Sequence, residues 1–210
     1  MATLNLILKG VPYILHDRLG PSGPVRTLLI TKKIKGKVYE GKISTFDDTD
    51  AREVIVKLSS KLEDIRELEH EHEIYSMDLL QLQGKAIPRC LGLFKGCTVP
   101  STVELMACLI LEKCIPAPEN TISRHDTEFY RQFMLNLCQI HAAGVLHNGL
   151  EKSKHIVMQS FSPRIIDFSK ASRHECPGSF PADIYGSVQR TGTTCPELVA
   201  LEVLYGMRSC

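Results

Sequence analysis

Between Gly144 and Ala171 the chain reads GVLHNGLEKSKHIVMQSFSPRIIDFSKA, and this stretch carries most of the side chains that could do chemistry. Gly144 can take the positive φ that closes a helix. Ile156-Val157-Met158 and Ile165-Ile166 are short β-branched-rich runs, with a turn predicted over Gln159–Arg164. Asp167 follows the second run, so its carboxylate lies at the edge of a core rather than in open solvent. A metal-binding acid belongs at such a place. The second candidate charge is Lys57, in Val54-Ile55-Val56-Lys57-Leu58. Strand alternation puts Val54, Val56 and Leu58 on one face and Ile55 and Lys57 on the other. Taken alone, a strand lysine usually faces solvent.

These residues resemble the catalytic loop and metal-binding turn of the protein-kinase-like superfamily, which reads H-R-D-L-x-x-x-N, a strand hairpin, then D-F-G. Here His147-Asn148-Gly149-Leu150-Glu151-Lys152-Ser153-Lys154 matches the loop and Asp167-Phe168-Ser169 the turn, without a gap. Gly149 stands where the family has its catalytic Asp, and Lys154 where it has a metal-holding Asn. The run ending in Lys57 resembles the V-A-I-K strand, whose lysine contacts nucleotide phosphates. The resemblance implies an α+β, two-lobed fold: a small antiparallel sheet with one helix, then a truncated helical lobe, with ATP and magnesium in the cleft where Lys57 and Asp167 converge. It covers residues 28–205, strongly from 126 to 171, and is similar to short, divergent kinase-like chains of fungal genomes.

Of the family's glycine-rich loop only Gly36 and Val38 remain, with Thr31 and Lys33 at the other two glycine positions. Read without the resemblance, Leu28–Thr31 and Gly36–Ile43 make a β-hairpin with a basic turn. After the polar turn Thr45–Asp50 and the Lys57 strand, Ser60 and Glu63 form a capping-box pattern that opens a helix reaching towards Gly84. Leu62, Ile65, Leu68, His72, Tyr75, Leu79 and Leu82 form its buried stripe. Its acids make a solvated face, from which one should pair with Lys57. Counting back from Leu79-Leu80 selects Glu73, with Glu69 second.

Strands are predicted over 88–96 and 103–112, making five with the earlier three. The resemblance places adenine-contacting backbone at Glu112–Cys114. Pro116 and Pro118 break regular structure and mark the lobe boundary. The division expected is therefore a 1–27 extension or leading strand with a turn-rich loop at 19–24, an N-lobe over 28–115 and a C-lobe over 116–210. Ser123-Arg124-His125-Asp126 opens a largely buried helix whose apolar positions run from Phe129 to Ile140. His141 at its end has no metal-ligand partner at helical spacing and reads as a packed, hydrogen-bonded histidine. Beyond Ala171 the pattern thins: Ala182–Tyr185 resembles the start of a later kinase helix, and Pro196–Tyr205 is a short amphipathic helix ending at Gly206.

A net charge of +1 over 210 residues argues against nucleic-acid or membrane partners. No run of about 18 apolar residues appears. The N-terminus lacks a basic leader and a small-residue cleavage site. Eight cysteines without a C-x-x-C pair suit a reducing compartment, cytosol or nucleus. Zinc sites usually show close ligand pairs, so the nearest candidate, His174-Glu175-Cys176 with Cys195, reads better as loop.

On this reading Lys57 and Glu73 anchor a nucleotide and Asp167 gives a metal one contact, but Gly149 removes the general base. Glu151 could reach towards the site or be a solvated loop acid. Lys154 could supply charge that a second metal would otherwise bring, which predicts nucleotide binding with little magnesium dependence. A pseudokinase acting through an unknown protein partner is the leading expectation. The alternatives are an active atypical protein or small-molecule phosphotransferase, and a non-catalytic α+β interaction module.

Overall fold

The computed structural model describes residues 2–17, 25–45, 51–98, 105–117, 127–150, 155–177 and 195–204. The loop at 19–24, the turn at 46–50, the cap at 123–126, Glu151 and Lys154, the segment 182–185 and Gly206 lie outside them. The chain divides into two units, residues 1–72 with 89–113, and residues 73–88 with 114–210.

The first unit is a closed seven-stranded barrel. Strands β1 (Ala2–Leu8), β2 (Val11–Asp17), β3 (Arg26–Lys35), β4 (Val38–Thr45), β5 (Arg52–Ser59), β6 (Cys90–Thr98) and β7 (Leu105–Glu112) are ordered β1-β2-β6-β7-β5-β4-β3. Period-two patterning builds it: Leu4, Leu6, Leu15, Leu28, Val54, Val56 and Leu58 alternate inward into one core with Phe94 and Ile110. The expectation of five antiparallel strands behind an extension is corrected. Residues 2–17 are a hairpin of the barrel, and β1 closes it by pairing parallel with β3, Leu4 to Arg26 through Ile7 to Leu29. Gly96 permits the close approach of β2 to β6, because a Cβ there would lie 2.1 Å from the Ile14 carbonyl oxygen.

Helix α1 (Leu62–Glu73) follows β5. Its entry is tied by Ser59 rather than Ser60: the Ser59 hydroxyl donates to Asp64 (2.7 Å) and accepts the Lys61 N–H (3.2 Å). Ile65, Leu68 and Glu71 are its buried positions, whereas Leu62 is exposed.

The second unit opens with a π turn over Ile74–Asp78 and a 3₁₀ turn over Leu80–Leu82 in place of a continued α-helix. Leu79 N–H donates to the Ile74 carbonyl, an i→i+5 bond of 2.9 Å. Strand β8 (Ile115–Pro116) pairs with β10 (Ile156–Gln159), which pairs with β11 (Ser162–Ile165), and β9 (Val145–Leu146) pairs with β12 (Ser172–Arg173). Helix α2 (Thr127–Ala142) packs on β11 and β9, burying Phe133, Leu137 and Ile140. Helix α3 (Pro196–Leu204) packs on α2 through its buried Leu198 and Leu201. The β10–β11 turn is two residues, not six. Ser160 and Phe161 both have positive φ (50° and 66°), the geometry of a tight hairpin turn. Among the described residues no helix is long and apolar enough to cross a membrane.

Candidate functional site

In the first unit, β5 and α1 bring Lys57 and Glu71 together. The Lys57 ammonium donates to both carboxylate oxygens at 2.8 and 2.7 Å, with Lys57 7% and Glu71 0% exposed. Neither charge reaches much solvent, so each needs the other. The strand register sets Lys57 opposite Val38 on β4 and Leu109 on β7.

Glu73 as the partner of Lys57 is corrected. It pairs instead with Arg173 at 2.7 Å, where both side chains are half-exposed and Arg173 also bonds Asp78. The reason is helical phase. The π turn at 74–78 takes more than 3.6 residues per turn, so counting back from Leu79-Leu80 by an α-period lands on the wrong acid. Glu69, the second choice, pairs with Lys95.

Gly36 forms the β3–β4 turn at φ 54°, beside Lys37. The Lys37 ammonium is bound to Asp64 (3.3 Å) and Glu67 (2.5 Å), and its carbonyl accepts the Leu58 N–H. That turn is thus fastened to β5 and the start of α1. Glu112 closes β7: its carboxylate accepts the Arg89 N–H at 3.1 Å and its own N–H donates to the Arg89 carbonyl at 2.8 Å. Cys114, in the second unit, is buried.

In the second unit, Asp167 ends the β10–β11 hairpin at φ 71°, followed by a 3₁₀ turn over Phe168–Lys170. Phe168 is fully buried against the edge of Tyr75, with ring centroids 5.2 Å apart. Both oxygens of Asp167 have partners: the Ser169 hydroxyl donates to one at 3.0 Å, and His155 Nε2 lies 3.3 Å from the other. His155 Nδ1 must donate to the Gly149 carbonyl (2.7 Å), which turns its Nε2 towards Asp167.

His147 is buried, and its Nε2–H donates to the Ile166 carbonyl at 3.0 Å. Its Nδ1 has no hydrogen-bond partner among the described residues. Gly149 lies against both imidazoles: an added Cβ would sit 3.3 Å from His147 Nδ1 and 3.5 Å from His155 Nδ1. Glu197, in the first turn of α3, fastens this loop. It accepts the His147 N–H (3.1 Å), the Asn148 N–H (2.7 Å) and a bond from His141 Nε2 (2.8 Å). Burial alone would raise its pKa; those hydrogen bonds outweigh it and hold the carboxylate below its usual range.

Sequence reading missed Glu71, His155 and Glu197. Glu71 had a signal, since it falls three residues after Leu68 on the apolar stripe. The two others meet their partners only through the tertiary fold.

Burial pushes the His147 pKa down, although the Ile166 carbonyl and the charges of Glu197 and Asp167 oppose this; neighbouring His155 adds to it. Burial also lowers that of His72 in the first unit. A histidine depressed in the fold binds more protons when unfolded, so its contribution is fully present above the unfolded value of about 6.5 and is lost as pH falls from there through the lower folded value. Urea midpoints should therefore drop between pH 7.5 and 5.5, and the drop should shrink in His147→Gln. An unchanged drop in that variant would contradict this assignment.

No protein-family model matches the chain, and no curated protein does. Among solved structures it is similar to a crystal structure of a kinase domain, at 17% identity and a TM-score of 0.52, over 70% of this chain and 51% of that one. The fold is kinase-like. The chain spans about half the length of the kinase domain it matches.

Proposed function

We propose that this kinase-like protein is a pseudokinase that binds ATP and transfers phosphate slowly or not at all. The observation that carries the reading is the buried Lys57–Glu71 pair. An ammonium fixed by a two-oxygen contact at the end of its reach is preorganised to meet phosphate oxygens. Gly36 and Val38 would cover the nucleotide, and the backbone at Glu112 would meet adenine.

The fit to magnesium is narrower. Magnesium takes hard oxygen ligands, commonly one or two carboxylates completed by phosphates and water. Asp167 is a suitable donor, but it stands alone in its loop and shares its oxygens with Ser169 and His155. A cation there must displace the His155 ring or the Ser169 hydroxyl from the carboxylate. When bound, magnesium would neutralise phosphate charge, with Asp167 as its protein ligand. Lys154 would supply part of that charge from this chain. No carboxylate stands at Gly149 to orient an acceptor hydroxyl or take its proton, so acceptor activation is the missing step.

A thermal-shift titration tests the reading. ATP should raise the melting temperature to a similar extent with magnesium and with EDTA, and Lys57→Met should abolish the shift. A strict magnesium requirement would refute the role given to Lys154. The absence of any shift in the wild type would refute nucleotide binding.

A further inference from the structure

Four side chains from three separate segments meet at the end of α2 in the second unit. The ligand atoms of His141, His174, Cys176 and Cys195 all lie within 4.8 Å of one another. His141 Nδ1 is 3.2 Å from His174 Nε2 and 3.5 Å from Cys195 Sγ. A zinc ion with Zn–N of about 2.05 Å and Zn–S of about 2.3 Å makes a tetrahedron whose edges are about 3.3 Å between nitrogens and about 3.6 Å between nitrogen and sulfur. Both measured separations match those edges.

The tautomer agrees. Glu197 accepts from His141 Nε2 at 2.8 Å, so the proton belongs on Nε2 and the lone pair on Nδ1 points into the cluster. A carboxylate behind a ligating histidine, fixing its ring and raising its basicity, is the usual outer partner of such a ligand. Position is fixed too: the His174 N–H donates to the Gly144 carbonyl at 2.9 Å, just after the β9–β12 pairing. Cys195 immediately precedes α3, and both it and His141 are 1% exposed.

We infer that His141, His174, Cys176 and Cys195 form a closed, structural zinc site. Two imidazoles and two thiolates select zinc over the hard cations, which require oxygen. Two thiolates also balance the dication, so the complex carries no net charge, which suits its buried ligands His141 and Cys195. Four protein ligands leave no open position for substrate, which makes the role structural. The ion would join the end of α2, the segment after β12 and the start of α3. Through Glu197 it would also steady the backbone of His147 and Asn148.

The experiment is metal analysis of the whole chain purified without a metal-affinity tag, followed by titration of the metal-depleted protein with Co²⁺ and then Zn²⁺. We expect one zinc per chain, and a tetrahedral cobalt spectrum with thiolate charge-transfer absorption that zinc abolishes. Cys195→Ser and His174→Ala should lose the ion, whereas Cys90→Ser, in the other unit, should retain it. Glu197→Gln should weaken zinc binding about 10- to 100-fold without removing a ligand. Because ligand variants can fail to fold, the wild-type cobalt spectrum decides independently. Folded protein that takes up neither metal, a Cys176–Cys195 disulfide, or undiminished zinc in Cys195→Ser would each overturn the site.

Discussion

Glu71→Ala should lower the unfolding free energy by about 3–5 kcal/mol, the usual penalty for leaving one member of a buried ion pair without its counter-charge. Lys57 is 7% exposed and donates to both oxygens of Glu71, so its ammonium would keep the desolvation cost and lose that attraction. Glu73→Ala is the contrast. Its pair with Arg173 is half-exposed, and removal should cost less than about 1 kcal/mol. The double variant Lys57→Met/Glu71→Leu should recover much of the single-variant loss, because position 71 shares a buried stripe with Ile65 and Leu68. Urea unfolding of the four proteins measures this. Equal effects at 71 and 73 would show that the lysine is held by something other than Glu71.

Gly149→Asp should raise phosphotransfer by roughly 10²–10⁴-fold, the contribution a positioned general base typically makes. The backbone at Gly149 leaves room for a Cβ once the His147 ring gives slightly. A Cβ there meets two histidine rings at 3.3 and 3.5 Å, tight enough to need a shift of a few tenths of an ångström but not a backbone clash. The gain is to be read as turnover in a γ-phosphate transfer assay at saturating ATP, with the ATP-induced thermal shift as a check that binding persists. A variant that binds ATP like its parent and shows no increase would mean that the absent base does not limit the reaction. Asp167→Asn in the Gly149→Asp background should then return the rate to the parent level.

Much of the fold was legible because local patterns are strong where a single core decides them. Alternation in β5, the long run of β7 and the stripe of α1 all follow from one buried face. The 2–17 hairpin was harder, because closing a barrel through a parallel β1–β3 pair is a non-local choice that no local pattern announces. Lys57 was singled out by the resemblance of its strand to V-A-I-K, because a strand lysine taken alone usually faces solvent. Its partner could not be counted correctly, since a π turn changes the residues per turn without any mark in composition. Of the His141, His174, Cys176 and Cys195 cluster, three members formed the nearest zinc candidate, and only His141 was hidden for a related reason. Only His174 and Cys176 are near neighbours, and tertiary folding brings the other two. His141 was expected to be packed and hydrogen-bonded without a ligand partner. It is buried and bonded to Glu197, but its second nitrogen meets two neighbours contributed by distant segments.

The closed order of the barrel also bears on self-association. An open sheet presents two rows of unsatisfied amides and carbonyls that invite another chain to add a strand. Here β1 and β3 pair over Leu4–Ile7 and Arg26–Leu29, so over those residues neither strand offers an edge for such templating. That protection resides in the hairpin of residues 2–17, whose removal would uncover the flanks of β3 and β6 together.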